Sequence, residues 1–64
     1  MEAMVLDLSA ASSYLGIRPS TLRAWKRQGR GPSYFRAGKL LRYRRTDLDS
    51  WIARNSVSHE EHKK

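Results

Sequence analysis

Lysine and arginine side chains dominate the middle of this sequence, and the chemistry open to them is the binding of anions. Residues 18–45 carry ten cations and no Asp or Glu. The flanking residues 1–17 and 46–64 have net charges of −2 and −1, so the formal net charge of +7 resides in this block. The ten cations are Arg18, Arg23, Lys26, Arg27, Arg30, Arg36, Lys39, Arg42, Arg44 and Arg45.

Apolar residues interrupt the cationic block, which distinguishes it from a disordered basic tail. Leu22, Trp25, Phe35, Leu41 and Tyr43 fall within it. These side chains need a core, so we expect the cations to cover one side of a folded unit. Such a surface attracts polyanions, and nucleic acid is the default partner.

The length and composition limit the class of protein. Sixty-four residues form one small domain without cysteine, so we expect no disulfide and no separate scaffold walling an enzyme cleft. The first residues lack a basic start followed by an apolar run, and no stretch is long enough to span a bilayer. These features predict a cytoplasmic protein with no catalytic function and no membrane association.

Two helices joined by a tight turn are predicted before and inside the cationic block. Asp7 is a suitable N-cap for a helix over residues 8–15. One face of this helix carries Leu8, Ala11, Ser12 and Leu15, and Gly16 ends it. Pro19 can begin a second helix that runs to about Gln28, with Ser20 or Thr21 helping to satisfy its open amides. This arrangement is a helix-turn-helix pattern.

The second helix has two different faces. Leu22 and Trp25 point to one side, with Lys26 beside them, whereas Ser20, Arg23, Ala24 and Arg27 lie opposite. Arginine can reach guanine edges or phosphates, and small residues let a helix sit deep in a groove. A solvated basic face is the plainer interpretation, but the surrounding excess of cations favours nucleic-acid binding.

A small β-hairpin is predicted next. Its strands are Ser33–Arg36 and Leu40–Tyr43, separated by Ala-Gly-Lys with Gly38 at the tip. Period-two alternation turns Leu41 and Tyr43 toward the core, facing either Phe35 or Tyr34, and turns Leu40 and Arg42 outward.

A third helix is predicted to start near Thr46, with Asp49 in a capping-box position, and to close the core through Leu48, Trp51, Ile52 and Asn55. Trp25 and Trp51 are both predicted to be core residues. The fold class is therefore mainly α with a small β-hairpin, over residues 1–55. Residues 56–64 are predicted to form a flexible tail.

Two histidines in the tail are three residues apart, at positions 59 and 62. They do not match a metalloprotease motif and have no further ligand nearby in sequence, so we predict no metal site. No phosphate-binding glycine loop, Cys-His pair or paired carboxylates are found, and no cofactor is expected.

The stretch from Leu8 to Ile52 resembles the excisionase-type, MerR-like winged-helix domain. The resemblance rests on Ala11, Leu15-Gly16-Ile17, Pro19-Ser20-Thr21-Leu22, Trp25, Gly29, Gly38-Lys39 and the run from Leu41 to Ile52. That run is the most specific part, because a wing strand leads directly into an Asp-Leu-x-x-Trp helix. Arg18 departs from the Ser or Thr that is common just before the second helix.

The resemblance implies a winged helix-turn-helix of three helices plus a wing, with the second helix in the major groove and the wing at the adjacent minor groove or backbone. It also implies an excisionase, or recombination directionality factor, in a phage or mobile element. Such proteins bind attachment-site DNA cooperatively as neighbouring protomers, bend it and direct a tyrosine integrase toward excision. The alternatives are a small transcriptional regulator on operator DNA and a basic module that binds protein or RNA.

The predicted contacts with double-stranded DNA lie on the second helix and the wing. On the helix they are Arg18, Ser20, Thr21, Arg23, Ala24, Lys26 and Arg27. On the wing they are Arg36, Lys39, Arg42 and Arg44.

Overall fold

The computed structural model describes residues 4–57, and the remaining residues at both ends lie outside the described part. Three helices and three short strands follow one another along the chain: β1 (Val5–Leu6), α1 (Leu8–Leu15), α2 (Pro19–Arg27), β2 (Phe35–Ala37), β3 (Leu40–Arg44) and α3 (Arg45–Arg54). The strands form one antiparallel sheet in the order β1-β3-β2. The predicted winged helix-turn-helix, mainly α with a small hairpin, is confirmed.

Helix α1 begins and ends as its sequence predicts. The Asp7 carboxylate accepts a hydrogen bond from the Ala10 amide at 2.8 Å, which satisfies an amide that has no partner within the helix. Gly16 ends the helix with a φ of 74°, in the left-handed region that favours glycine. Ser12 is fully buried, and its hydroxyl donates to the Ser9 carbonyl oxygen at 2.7 Å, which offsets the cost of its burial.

The centre of the core is formed by one apolar residue from each of α1, α2, β3 and α3. Ala11, Leu22, Tyr43 and Leu48 are buried almost completely. Half-buried apolar side chains surround this cluster: Leu6, Leu8, Leu15, Ile17, Trp25 and Leu41. A sheet face and three helices therefore share one small core, which fixes α2 and the hairpin in the same unit.

The sheet has a strand that the sequence analysis did not predict. In β1, Val5 lies opposite Arg44 and Leu6 lies opposite Tyr43, and the Met4 carbonyl oxygen accepts from the Arg45 amide at 2.9 Å. Two residues are too few to produce a period-two pattern. The strand exists because β3 offers a free edge beside the core, and Leu6 fills the space next to Tyr43.

The hairpin is shifted slightly from its predicted bounds. The strands are Phe35–Ala37 and Leu40–Arg44, so the connection is the two-residue Gly38-Lys39 rather than Ala-Gly-Lys. Pairing of Phe35 with Arg42 and of Arg36 with Leu41 decides the open question of the faces. Tyr34 meets Tyr43, with ring centroids 5.9 Å apart, whereas Phe35 lies on the opposite face.

Helix α3 starts at Arg45, next to Thr46 as predicted, after an Arg44 N-cap that makes no side-chain capping bond. The predicted capping-box role of Asp49 and the predicted core positions near the end of the helix are wrong. Asp49 instead accepts a hydrogen bond from the Tyr14 hydroxyl at 2.5 Å. This hydrogen bond connects α1 to α3 at the surface. Ile52 is exposed, and Trp51 is only half-buried, against Trp25 at 5.4 Å between ring centroids.

The limits of the described residues leave two predictions open. The histidines at positions 59 and 62 and most of the predicted tail, 56–64, lie outside them. Within 4–57, no helix is both long and apolar enough to cross a membrane. The same residues contain no group of three or more His, Cys, Asp or Glu side chains that could hold a metal ion.

Candidate nucleic-acid interface

Helix α2 presents one face to the core and an opposite face to solvent. Leu22 is buried and Trp25 packs against the core cluster, so the helix is anchored along one side. Ser20, Arg23 and Arg27 are exposed on the other side, spaced at i, i+3 and i+7. The sequence analysis assigned these three residues to one side of the helix, and the structure exposes them together on that side. Their contact with DNA stays a prediction.

Three other predicted contacts on α2 are less accessible. Thr21, Ala24 and Lys26 are half-buried. Ala24 lies at the margin of the exposed face, and its small side chain leaves room for a partner to approach the helix. Lys26 lies at the end of α2, beside the loop that follows.

Arg18 stands at the start of α2 in the N-cap position. Its backbone is extended, with φ −76° and ψ 146°, which suits an N-cap, but no side-chain hydrogen bond caps the helix. The expected help from Ser20 or Thr21 is therefore wrong. The open amides and the exposed guanidinium make this end of α2 electropositive, a favourable place for a phosphate.

The wing presents two cations that have no hydrogen bond or ion pair within the described residues. Arg36 and Lys39 are both exposed, and Lys39 occupies the hairpin tip next to Gly38. Both groups keep their charge available for a partner. Arg36 projects from the same sheet face as Leu41, so it emerges on the side where the helices pack.

The two remaining wing residues already have partners in the protein. Arg42 donates from Nη1 to the Leu41 carbonyl oxygen at 2.7 Å. Arg44 forms an ion pair with Asp47 at 3.3 Å, and its guanidinium lies 4.6 Å from the centroid of the Phe35 ring. Both arginines lie on the sheet face opposite the core, whereas Arg36 does not. Of the four predicted wing contacts, Arg42 and Arg44 therefore already have partners within the protein, whereas Arg36 and Lys39 have none within residues 4–57.

Arg30 was counted among the cations, but the sequence analysis assigned it no role. The structure places it beside Lys26, in a cleft of about 330 Å³ where α2 gives way to the loop leading to β2. Its guanidinium lies 5.3 Å from the Trp25 ring centroid. Lys26 and Arg30 are four residues apart in the sequence, and this spacing was the only hint that they act together. Because α2 ends before Arg30, the spacing alone did not show that both residues line one cleft.

The electrostatics of the interface follow from the scarcity of carboxylates near it. Within residues 4–57, Arg44–Asp47 is the one ion pair. The acidic residues Asp7, Asp47 and Asp49 belong to helix ends or to the contact between α1 and α3. Apart from Arg44, the cations of α2 and the wing have no carboxylate partner within residues 4–57, and their combined field favours a polyanion.

Tyrosines 14 and 43 are the described groups with perturbed acidity. The hydrogen bond to Asp49, followed by burial and the charge of that carboxylate, raises the pKa of Tyr14. Burial, followed by the neighbouring Tyr34, raises the pKa of Tyr43. Both groups have structural contacts, and neither lies among the predicted DNA contacts.

Comparison with known proteins agrees with this geometry. No curated protein matches the sequence significantly. A family model described as a helix-turn-helix domain matches residues 5–56, which is most of the chain and includes every element from β1 to α3. Helix-turn-helix units bind DNA by placing their second helix in the major groove. The chain therefore belongs to the helix-turn-helix domain family, and its membership implies DNA binding.

Proposed function

We propose that this protein is an excisionase-type DNA-binding protein. It binds attachment-site DNA cooperatively with neighbouring protomers, bends the DNA and directs a tyrosine integrase toward excision. Its role is architectural rather than catalytic. The observation that carries the DNA-binding part is the exposed arginine face of α2, which has no ion-pair partner within residues 4–57 and lies in the same folded unit as a cationic wing.

The face of α2 supports reading of the major groove. That groove is about 12 Å wide and admits one α-helix. Arg23 and Arg27 are long enough to reach base edges, while Ser20 and Ala24 are short enough to let the helix backbone approach. An arginine that donates two hydrogen bonds to guanine O6 and N7 is the commonest specific contact. Arg18, at the helix start, holds a phosphate.

The wing supports a second contact on the same duplex. Arg36 and Lys39 extend from a hairpin whose base is fixed to the core by Tyr43. Their charges suit the phosphates or the narrow minor groove beside the major groove that α2 enters. Because Arg42 and Arg44 already have internal partners, Arg36 and Lys39 make the stronger contribution.

The small size of the module supports cooperative assembly. A single unit of this kind buries a modest area on DNA and gains limited affinity. A protomer that binds beside another contacts both the DNA and its neighbour. Once one of these contacts has formed, the other is effectively intramolecular, so protomers on adjacent repeats bind more tightly than isolated ones. A row of such protomers also supplies the binding energy needed to bend the duplex.

Footprinting on candidate attachment DNA, with and without integrase, tests this proposal. The protein is expected to protect adjacent repeats at one steep threshold concentration and to extend the integrase footprint. Circularly permuted fragments should reveal a bend. A recombination assay should then show that the protein shifts the integrase from integration to excision.

Two results would argue against the excisionase role in different ways. Protection of a short operator, with no effect on the integrase, would indicate a transcriptional regulator. Preference for RNA or an acidic protein over duplex DNA would remove the DNA-binding function itself.

A further inference from the structure

A cleft at the C-terminal end of α2 has the composition of an anion-binding site. It has a volume of about 330 Å³, at the small end of the range for ligand clefts, and it is open to solvent. Its walls contain two cations, two hydroxyl side chains and a glycine-containing turn: Lys26, Arg30, Ser33, Tyr34, Gly29 and Gly31. Among residues 4–57, no carboxylate lines the cleft.

The turn that forms the cleft is held in place by Trp25. The Arg30 amide donates to the Trp25 carbonyl oxygen at 2.9 Å. Gly31 has a φ of 91°, and a Cβ at this position would lie 3.2 Å from the Trp25 ring. A side chain at residue 31 would therefore crowd the indole, in a backbone conformation that favours glycine, so the turn packs closely against Trp25.

Arg30 is oriented before any ligand arrives. Its guanidinium lies over the Trp25 ring, with Cζ 5.3 Å from the ring centroid, so a cation–π contact holds the side chain at the cleft. Within residues 4–57, neither Arg30 nor Lys26 has an ion-pair partner. A preoriented guanidinium loses less conformational freedom on binding than a mobile one.

The C-terminal end of α2 repels an anion less than most helix C-termini do, because several of its carbonyl oxygens already accept hydrogen bonds. Free carbonyl groups at that end carry partial negative charge. In this structure the Trp25 carbonyl oxygen accepts from the amides of Gln28 and Arg30, and the Lys26 carbonyl oxygen accepts from Gly29. The two side-chain cations and the hydroxyl groups of Ser33 and Tyr34 then provide the donors.

We propose that this cleft is a phosphodiester-binding site that holds the DNA backbone beside the groove occupied by α2. This inference rests on the proposed DNA binding and adds Arg30, with Ser33 and Tyr34, to the interface. The cleft is continuous with the exposed end of α2 through the neighbouring residues Lys26 and Arg27. An open cleft suits a continuous backbone better than an enclosed small molecule does.

The site anchors DNA without reading its sequence. Phosphate contacts fix the orientation of a protein on the duplex but carry no base information. The cleft therefore sets how α2 lies in the groove, while Arg23 and Arg27 read the bases. Loss of the cleft weakens binding to all sequences alike and leaves the preference among sequences unchanged.

The first test compares Lys26→Gln and Arg30→Gln with Arg54→Gln, which removes an exposed cation from the last turn of α3. Each is titrated with a duplex selected by the parent from randomised DNA and with a scrambled duplex, across a range of salt concentrations. Thermal melts verify that each variant is folded, and Arg30→Lys, which retains the charge, is expected to recover part of the affinity. We expect both cleft variants to lower the slope of log K against log salt by about 1, with the specific-to-scrambled ratio unchanged.

The second test locates the contact by phosphate-ethylation interference on the selected duplex. We expect one or two phosphates to matter for the parent and for Arg54→Gln but not for Arg30→Gln. An identical interference pattern in the cleft variants, or salt slopes equal to that of Arg54→Gln, overturns the inference while DNA binding stands. If the parent binds no duplex, the proposed function and this inference both fail.

Titrations with inorganic phosphate and with a mononucleotide test whether the cleft binds a free phosphate-containing molecule instead of the phosphates of a DNA backbone. The tryptophan emission, to which Trp25 under Arg30 and the neighbouring Trp51 both contribute, reports occupancy of the cleft. Weak or no saturation by these free anions agrees with a site for backbone phosphate. Tight saturation by either, with no effect of the cleft variants on duplex binding, overturns the inference in favour of a small-molecule site.

Discussion

Leu48 and Trp51 lie three residues apart on α3, and their burial assigns them unequal roles. Leu48 is 0% exposed and contributes to the central cluster, whereas Trp51 is half-buried at the margin, against Trp25. Removing a fully buried leucine side chain costs its transfer energy and leaves a cavity. Truncation of a half-exposed ring leaves an opening that water can fill.

We therefore expect Leu48→Ala to lower the free energy of unfolding by about 2–5 kcal/mol, and Trp51→Ala by about half as much. Urea denaturation of both variants measures this difference. A larger loss for Trp51→Ala would mean that the contact between the two indoles, rather than the central cluster, dominates the stability of this domain.

Arg18 occupies a position where stability and binding favour different residues. The extended backbone at this position suits a capping side chain, but arginine supplies none. Serine there would accept from an open amide of α2. Arginine at position 18 leaves the start of α2 without a side-chain cap, but it places a cation where phosphate binding is favoured.

Arg18→Ser is expected to raise the free energy of unfolding by about 1 kcal/mol, or roughly 4–8 °C in melting temperature for a domain of this size. The same variant should bind specific and scrambled duplexes more weakly to an equal extent. Thermal melts and DNA titrations measure the two effects. A variant that is more stable and binds as tightly as the parent would remove Arg18 from the interface.

At the scale of elements, the turn after α2 depends on glycine in two different ways. Gly29 and Gly31 both have positive φ angles, of 72° and 91°. Only Gly31 is also crowded, because a Cβ there would meet Trp25, whereas nothing lies within 4 Å of the same position at Gly29. Alanine at either residue carries the backbone cost of the left-handed region.

The Gly29→Ala variant is expected to lose about 1–2 kcal/mol of stability from backbone strain. We expect Gly31→Ala to lose more, because the turn must also move away from the indole, and to shift the tryptophan emission. Chemical denaturation with fluorescence detection compares the two. Equal losses with unchanged emission would show that contact with Trp25 does not shape the turn.

The sequence predicted the helices better than the sheet and better than the cleft. Helix α1 has a capping aspartate, an apolar stripe and a terminal glycine, and all of these signals are local. Strand β1 has two residues and depends on the edge of a strand that comes nearly forty residues later. The register of the hairpin decided between Tyr34 and Phe35, and alternation alone does not fix it.

The candidate site also has one part that the sequence predicts and another part that depends on tertiary structure. Exposure of Ser20, Arg23 and Arg27 follows from helical periodicity, so the face could be predicted. The ion pair of Arg44 with Asp47 and the placement of Arg30 over Trp25 depend on tertiary packing, and no local pattern encodes them.

At the scale of the whole molecule, Tyr14 and Tyr43 lie in environments that oppose their ionisation. The pKa values of Tyr14 and Tyr43 are raised above the usual value of about 10. The folded state therefore keeps these protons to higher pH than the unfolded chain does. This stabilising effect is fully present below pH 10 and is lost as the pH rises through the raised values.

We expect the urea midpoint to fall as the pH rises above 10, and to fall less steeply in Tyr43→Phe, which cannot ionise at that position. Denaturation curves measured at a series of alkaline pH values test this. If Tyr43→Phe follows the same curve as the parent, ionisation of Tyr43 does not contribute to alkaline unfolding.

The charge of the whole molecule is concentrated on α2 and the wing, and these two elements are attached to one core. Their fixed relation means that sequence reading and backbone anchoring occur in a single docking event. Loss of an arginine on α2 should therefore change which sequence is preferred, and loss of a wing cation should change only the strength of binding.

The most direct test titrates labelled duplex with Arg23→Ala and Arg27→Ala and follows fluorescence anisotropy on specific and scrambled DNA. The account predicts that at least one variant loses about 1–3 kcal/mol on the specific duplex and much less on the scrambled one, so that sequence preference relaxes. If both variants bind the two duplexes as the parent does, α2 is not the reading element, and the account of this interface is contradicted.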